Sequence, residues 1–240
     1  MLQFSIVVFW LTFAMNSKDV FDALASHYGL PAQEVLPEDL FERLIAVALD
    51  QALEARQIPL ALDALRDAGL LTPENLADAD PVEIADAWQP LAIRQPEKLA
   101  APLRKLAKWI VDRHHGDMRL LLDVDVSTAK IRDELISLKG VGPATADSLL
   151  LHALDRPSYP IDRATYRVLV RHGWVEPTAD YEEARSVVEG LAHEDSSRLK
   201  QLSTWFARIG HDFCKVTVPK CDRCPLRGLL PTSGPIDPGA

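Results

Sequence analysis

An almost wholly helical fold is what this sequence predicts, on three grounds. Apolar residues recur at helical spacing, as in Leu99, Leu103, Leu106, Trp109 and Ile110. Leu, Ala, Asp, Glu and Arg dominate, β-branched runs are few, and no strand-like alternation stands out. Helix starts are well marked. Thr72-Pro73-Glu74-Asn75 and Asp80-Pro81-Val82-Glu83 each set a capping side chain before a first-turn Pro and an acid. An apolar share of 48% supports a sizeable core and argues against global disorder.

The elements follow in order. Ser17 is expected to cap a helix to about His27, which Gly29 and Pro31 break. Pro37-Glu38-Asp39 opens a strongly apolar helix, Leu40 to Ala55, with Phe41, Leu44, Ile45, Val47, Ala48 and Leu49 buried on most sides. Short helices are expected over Leu60–Ala68, Pro73–Asp78 and Pro81–Trp88, and a long one over Pro96–His115. Thr128–Ser137, Pro143–Ala153, Arg163–Arg171, Tyr181–Leu191 and Ser197–Phe213 complete the set. Ser233 to Ala240 is rich in Gly and Pro and is expected to fray.

At the other end, Leu2 to Ala14 is apolar and uncharged. It is too short to span a bilayer and lacks the basic start of a signal peptide. It is read as an extension outside the fold, residues 1–14, with Met15 as the functional start; the alternative is a membrane-associating segment.

A net charge of −9 argues weakly against nucleic acid as a partner, but distribution matters more than the sum. Acid is concentrated between Val20 and Leu99. Basic residues gather later: Arg104 to His115; Arg163, Arg167, Arg171 and His172; Lys215, Lys220, Arg223 and Arg227. Each run alone reads equally as a solvated helix face.

The chain's three cysteines, Cys214, Cys221 and Cys224, fall in one short window with six and then two residues between them. An odd, clustered set is no disulfide framework; such spacing usually serves a metal or an iron–sulfur cluster and suggests a reducing compartment. A fourth ligand is missing.

Upstream, Leu138-Lys139-Gly140-Val141-Gly142-Pro143-Ala144-Thr145 separates two helices. Two glycines permit a tight turn, and Pro143 starts the next helix. The free amides of such a turn suit a phosphate, though an ordinary packing corner would look the same. Further on, Asp162 directly precedes a helix in Ile161-Asp162-Arg163-Ala164-Thr165-Tyr166-Arg167. It reads as an N-cap worth about 1 kcal/mol. It reads equally as an ionised carboxylate facing a cationic transition state, and a capping aspartate can do both.

Together, in this order and spacing, the hairpin, aspartate and cysteine tail resemble the helix-hairpin-helix (HhH-GPD) DNA glycosylase superfamily, most closely its endonuclease III branch, over roughly Val20 to Pro231. The resemblance implies a two-domain all-α fold. Residues 37–154 form a six-helix bundle with the hairpin at 138–146. Residues 15–36 and 155–240 form a cluster-side helical domain with the cysteine loop at 214–230. It implies a monomer that binds double-stranded DNA carrying a damaged or mismatched base, not a membrane, in a cytoplasmic, nucleoid-associated setting. Asp162 matches the catalytic carboxylate. Leu138, Gly140, Val141, Gly142 and Thr145 match the phosphate-binding hairpin, with Lys139, Arg163, Arg167, Lys220 and Arg223 as further DNA contacts. Cys214, Cys221 and Cys224 match three of the four ligands of a [4Fe–4S] cluster.

The departures carry as much weight. The family's lyase lysine falls at Ala144, so a monofunctional, water-using glycosylase is expected, rather than a strand-cleaving one or a non-catalytic relative. The glutamine that fills the gap left by a flipped base falls at Ala52, with Gln51 one position away. The fourth cluster ligand falls at Leu230. A cluster with Asp222, His211 or Asp212 assisting, another metal such as zinc, and no metal at all therefore stay open. Trp88, Trp109, Tyr166, Trp174 and Trp205 are candidates for a base pocket, or core residues.

Overall fold

Helices account for all the regular structure of the computed structural model, which describes residues 16–32, 35–123 and 125–239. The apolar segment Leu2–Ala14 and the start at Met15 lie outside the described residues. The helices are α1 (Ser17–Tyr28), α2 (Leu40–Asp50), α3 (Gln57–Asp67), α4 (Pro73–Asp78), α5 (Pro81–Ala87), α6 (Pro96–His114), α7 (Thr128–Ser137), α8 (Pro143–Ser148), α9 (Arg163–Arg171), α10 (Tyr181–Leu191) and α11 (Ser196–Asp212). No helix among the described residues is long and apolar enough to cross a membrane.

Capping chemistry sets most of the starts. The side chains of Thr72, Asp80, Ser127, Asp162, Asp180 and Asp195 each accept from an amide of the first turn they precede. Asp180 forms a full capping box with Glu183. Three expectations need correction. Asn16, not Ser17, caps α1, and the Ser17 hydroxyl instead donates to the Leu191 carbonyl. Helix α2 ends at Asp50 rather than Ala55, where the Ala52 amide tightens into a three-residue turn on the Leu49 carbonyl at 2.9 Å. The helix expected over Pro143–Ala153 changes pitch: α8 stops at Ser148 and a π-helical turn, Leu149–Ala153, follows.

Two hydrophobic cores organise these helices. The first runs from Phe41 to Leu154 and is drawn from α2 to α8 and the π turn. Here α4 and α5 pack on α6, and α2 packs on α3, α8 and the π turn. The second contains Val20 and Leu24 of α1 and residues of α9, α10, α11 and the cysteine loop. The π turn is the seam. Its Leu149, Leu150 and Ala153 face the first core and its Leu151 the second.

The second core is tightest where α9 crosses α11. A Cβ added at Gly210 would overlap the Cβ of Ala164. A Gly210→Val variant must therefore push the helices apart and should lose about 1–3 kcal/mol, the usual cost of overpacking, read as a lower midpoint in urea unfolding. The chain's end is also held rather than frayed at Ile236. Its amide donates to the Arg171 carbonyl at 3.1 Å, and its side chain packs on the second core.

Candidate DNA interface and cysteine pocket

The hairpin is built against α6. Gly140 has φ +104, a backbone state that suits glycine, and a Cβ there would press on Pro102 of α6. Lys105 of α6 donates to the Lys139 carbonyl at 3.0 Å. Val141 plugs into the first core at 7% exposure, and its amide closes the turn onto Leu138. Lys139, Gly140, Gly142 and Pro143 stay exposed, and Thr145 is half-buried. Helix α8 starts with no side-chain cap, so no side chain occupies its first amides, an arrangement suited to an anion.

Asp162 is exposed and caps α9. One carboxylate oxygen, Oδ1, accepts from the Thr165 amide at 2.6 Å, and Oδ2 takes no part in that cap. The segment leading to Asp162 is held by a buried polar network. Its hub is Asp147 of α8, fully buried, which accepts from Arg132 Nε at 2.6 Å and Nη2 at 3.1 Å, from Ser158 at 2.6 Å and from Tyr181 at 2.7 Å. The Tyr181 hydroxyl oxygen accepts from the Ile161 amide at 3.3 Å, and Glu189 accepts from the Tyr159 amide at 2.9 Å. Burial beside the Asp147 carboxylate pushes the Tyr181 phenol far above its ordinary value, so it stays a donor. The hairpin's second helix and the catalytic candidate are thereby tied through one side chain, which the sequence reading missed.

The other named residues divide. Arg163, Lys220 and Arg223 are exposed. Arg167 is engaged within the fold, with Nε on the Cys214 carbonyl at 3.1 Å and Nη1 on the Arg163 carbonyl at 3.0 Å. Gln51 and Ala52 are both exposed just past α2, and Gln51 Nε2 reaches Ser148 Oγ at 3.4 Å. The aromatic side chains belong to the cores. Trp88 and Trp205 are fully buried, each donating its indole N–H to a backbone carbonyl, and Trp109 donates to Glu134. Tyr166 and Trp174 pack on the second core. A roomier cavity, about 310 Å³, lies between the end of α6 and α7, and none of the sequence-predicted site residues lines it.

The three cysteines line one narrow pocket together with Arg171, His172, Ile209 and Leu230. Arg171 and His172, read from sequence as part of a basic face, are buried at 4% and 7% exposure. Arg171 Nη1 donates to Cys214 Sγ at 3.0 Å. The His172 ring holds the Val168 carbonyl through Nδ1 at 2.7 Å, and its Nε2 is buried with no hydrogen-bond partner among the described residues. Burial lowers the His172 pKa, against the opposing pull of nearby Val168 and Leu226 backbone groups. None of the assisting ligands considered from sequence lines this pocket: His211 is exposed and pairs with Asp212, and Asp222, beside Cys221, is exposed.

Among the described residues, no three His, Cys, Asp or Glu side chains converge closely enough to hold a single metal ion. A cluster takes one ligand at each corner, so thiols spread around a shared pocket, beside a guanidinium and an orphaned ring nitrogen, form a donor set that fits one chemically. The void is small, about 10 Å³, so a cluster must part these side chains to enter. Without metal, burial pushes the Cys224 thiol up to about 11. The thiolate is the nucleophile. Alkylation of Cys224 by iodoacetamide in metal-free protein should therefore keep rising through pH 9 and 10, where an unshifted thiol would level off; site-resolved mass spectrometry checks this.

No protein-family model matches the chain. A Methanocaldococcus jannaschii protein provisionally named a DNA repair glycosylase is 28% identical over 209 residues, covering 87% of this chain and 92% of that one. An endonuclease III from Sulfolobus acidocaldarius is 27% identical, covering 79% and 80%. A thymine/uracil-DNA glycosylase from Pyrobaculum aerophilum is 31% identical over 160 residues, covering 65% and 64%. Among solved structures, a trapped endonuclease III–DNA covalent intermediate superposes with TM-score 0.67 at 22% identity, covering 89% of this chain and 94% of that one. A thermostable thymine-DNA glycosylase gives 0.65 at 18% identity, with the same coverage. These two superpositions establish the fold.

Proposed function

Because this chain belongs to the helix-hairpin-helix DNA glycosylase superfamily, we propose that it removes a damaged or mismatched base from duplex DNA by hydrolysis and leaves the strand uncut. The observation that carries this reading is Asp162, an exposed carboxylate whose Oδ1 caps α9. A carboxylate there stabilises the positive charge that develops on the sugar as the base leaves, or orients the attacking water. Lyase chemistry needs an amine that attacks the sugar, and Ala144 has none.

Residues 37–154 and residues 15–36 with 155–240 act as the two halves of the enzyme. The hairpin at Gly140–Gly142 grips backbone phosphate through amides, which carries no sequence information. Lys139, Arg163, Lys220 and Arg223 add charge. The target base is flipped from the stack; Gln51, exposed just past α2 and one position from the family's glutamine, is the candidate to fill the gap. Cys214, Cys221 and Cys224 would hold a [4Fe–4S] cluster, which would tie together the loop that carries them.

The test uses duplexes carrying uracil, mismatched thymine, mismatched adenine, an oxidised pyrimidine or an alkylated purine. Strand breaks that need alkali after incubation support the reading. Breaks without alkali, together with a borohydride-trapped complex, contradict it. Binding with no base released from any of them contradicts it too and points to a non-catalytic relative.

A further inference from the structure

We propose that His172 is the fourth ligand of the iron–sulfur cluster, binding iron through Nε2 in place of the thiolate that Leu230 cannot supply. This rests on the reading that Cys214, Cys221 and Cys224 hold a cluster. Three observations carry it beyond that reading.

First, His172 lines the same pocket as the three cysteines and Leu230, and it is the histidine that does so. Second, its ring is set as a ligating imidazole needs to be. The Val168 carbonyl at 2.7 Å from Nδ1 can only accept, which favours the tautomer with its proton on Nδ1 and its lone pair on Nε2. A backbone carbonyl on the far nitrogen is the usual support of a metal-bound histidine. Third, Nε2 is buried with no hydrogen bond of ordinary geometry among the described residues, although a backbone group of Leu226 also lies near the ring. Leaving a buried polar atom unpaired is costly and calls for an explanation. A hydrophobic position at the end of α9 would be better filled by leucine.

Leu230 closes the rim of the pocket and offers no donor atom. The bonds made are three Fe–S and one Fe–N. Each cysteine gives up its thiol proton on binding, and His172 gives up none, since Nε2 is already bare. Three thiolates and one neutral imidazole carry one negative charge fewer than four thiolates, and Arg171 adds a positive charge beside Cys214. Both changes raise a cluster's reduction potential, as histidine ligation does in other iron–sulfur centres.

The experiment reconstitutes the full chain anaerobically with sulfide and equal amounts of ferrous and ferric iron, in natural abundance and with 15N-labelled histidine. The iron supplies the two ferric and two ferrous ions of the oxidised cluster. Bound iron and sulfide are counted, and the frozen samples are reduced by irradiation for pulsed electron paramagnetic resonance. The expected result is about four irons per chain and a nitrogen coupling to the cluster that changes with the label. His172→Ala should lose that coupling. His172→Cys should keep the iron, lose the coupling and lower the reduction potential. Iron and sulfide bound without a histidine nitrogen coupling would overturn the assignment of His172 and leave the cluster reading intact. A coupling that survives in His172→Cys would do the same. Protein that takes up no iron would overturn both. Labelled wild-type protein decides the matter even if the alanine variant does not fold, and base release has no part in the readout.

Discussion

Asp162→Asn should cut base release by at least about 100-fold, on the scale set by removing one electrostatic partner of a developing charge. Its folding stability should change by no more than about 0.5 kcal/mol, because asparagine and aspartate are near equals as N-caps. The pairing of outcomes is what makes the substitution informative. Oδ1 accepts from the Thr165 amide at 2.6 Å, and an asparagine carbonyl reproduces that bond. The negative charge is all that is removed. Affinity for an undamaged duplex should hold, because the phosphate contacts assigned to the hairpin are untouched. Single-turnover base release, a thermal melt and a binding titration check the three parts. If the capping role were the whole role of Asp162, neither stability nor base release would fall.

Asp147→Ala carries the largest expected effect on the fold, a loss of about 3–5 kcal/mol. The carboxylate is fully buried and receives four hydrogen bonds, two from Arg132 and one each from Ser158 and Tyr181. Removing it strands a guanidinium whose side chain is only 11% exposed and whose remaining partner is Glu182 at 2.7 Å. It also frees the Tyr181 hydroxyl that steadies the Ile161 amide, so base release should fall along with the melting temperature. Removing the exposed Arg66, which pairs with Glu42 and Asp63, should cost under about 1 kcal/mol. Chemical denaturation of the two variants side by side tests the contrast.

The helices with a capping residue and a proline or acid at the start were legible in the sequence, because local chemistry decides those boundaries. Thr72, Asp80 and Asp162 behave as their neighbours imply. The hairpin was legible for the same reason. What escaped depends on distant partners. Asp147 looks like an ordinary acid on a short helix until Tyr181, 34 positions away, meets it. Arg171 and His172 look like a basic face, and only the fold turns them inward onto Cys214 and its pocket. The π turn left no mark either, since Leu149-Leu150-Leu151 reads as any buried helix would. The end of α2 was missed because no glycine or proline announces it.

The shared π turn also decides which partner does the bending. Leu149 and Leu150 are anchored in one core and Leu151 in the other. A hinge at this point would draw leucines into water at about 1.5–3 kcal/mol each. In the proposed reaction the protein is then a stiff jaw, and the deformation falls on the duplex, whose smooth bending costs on the order of 1–6 kcal/mol. A lesion or mismatch that already softens the stack lowers that work before any side chain has reached the base. Part of the choice of target in the proposed reaction would thus be mechanical.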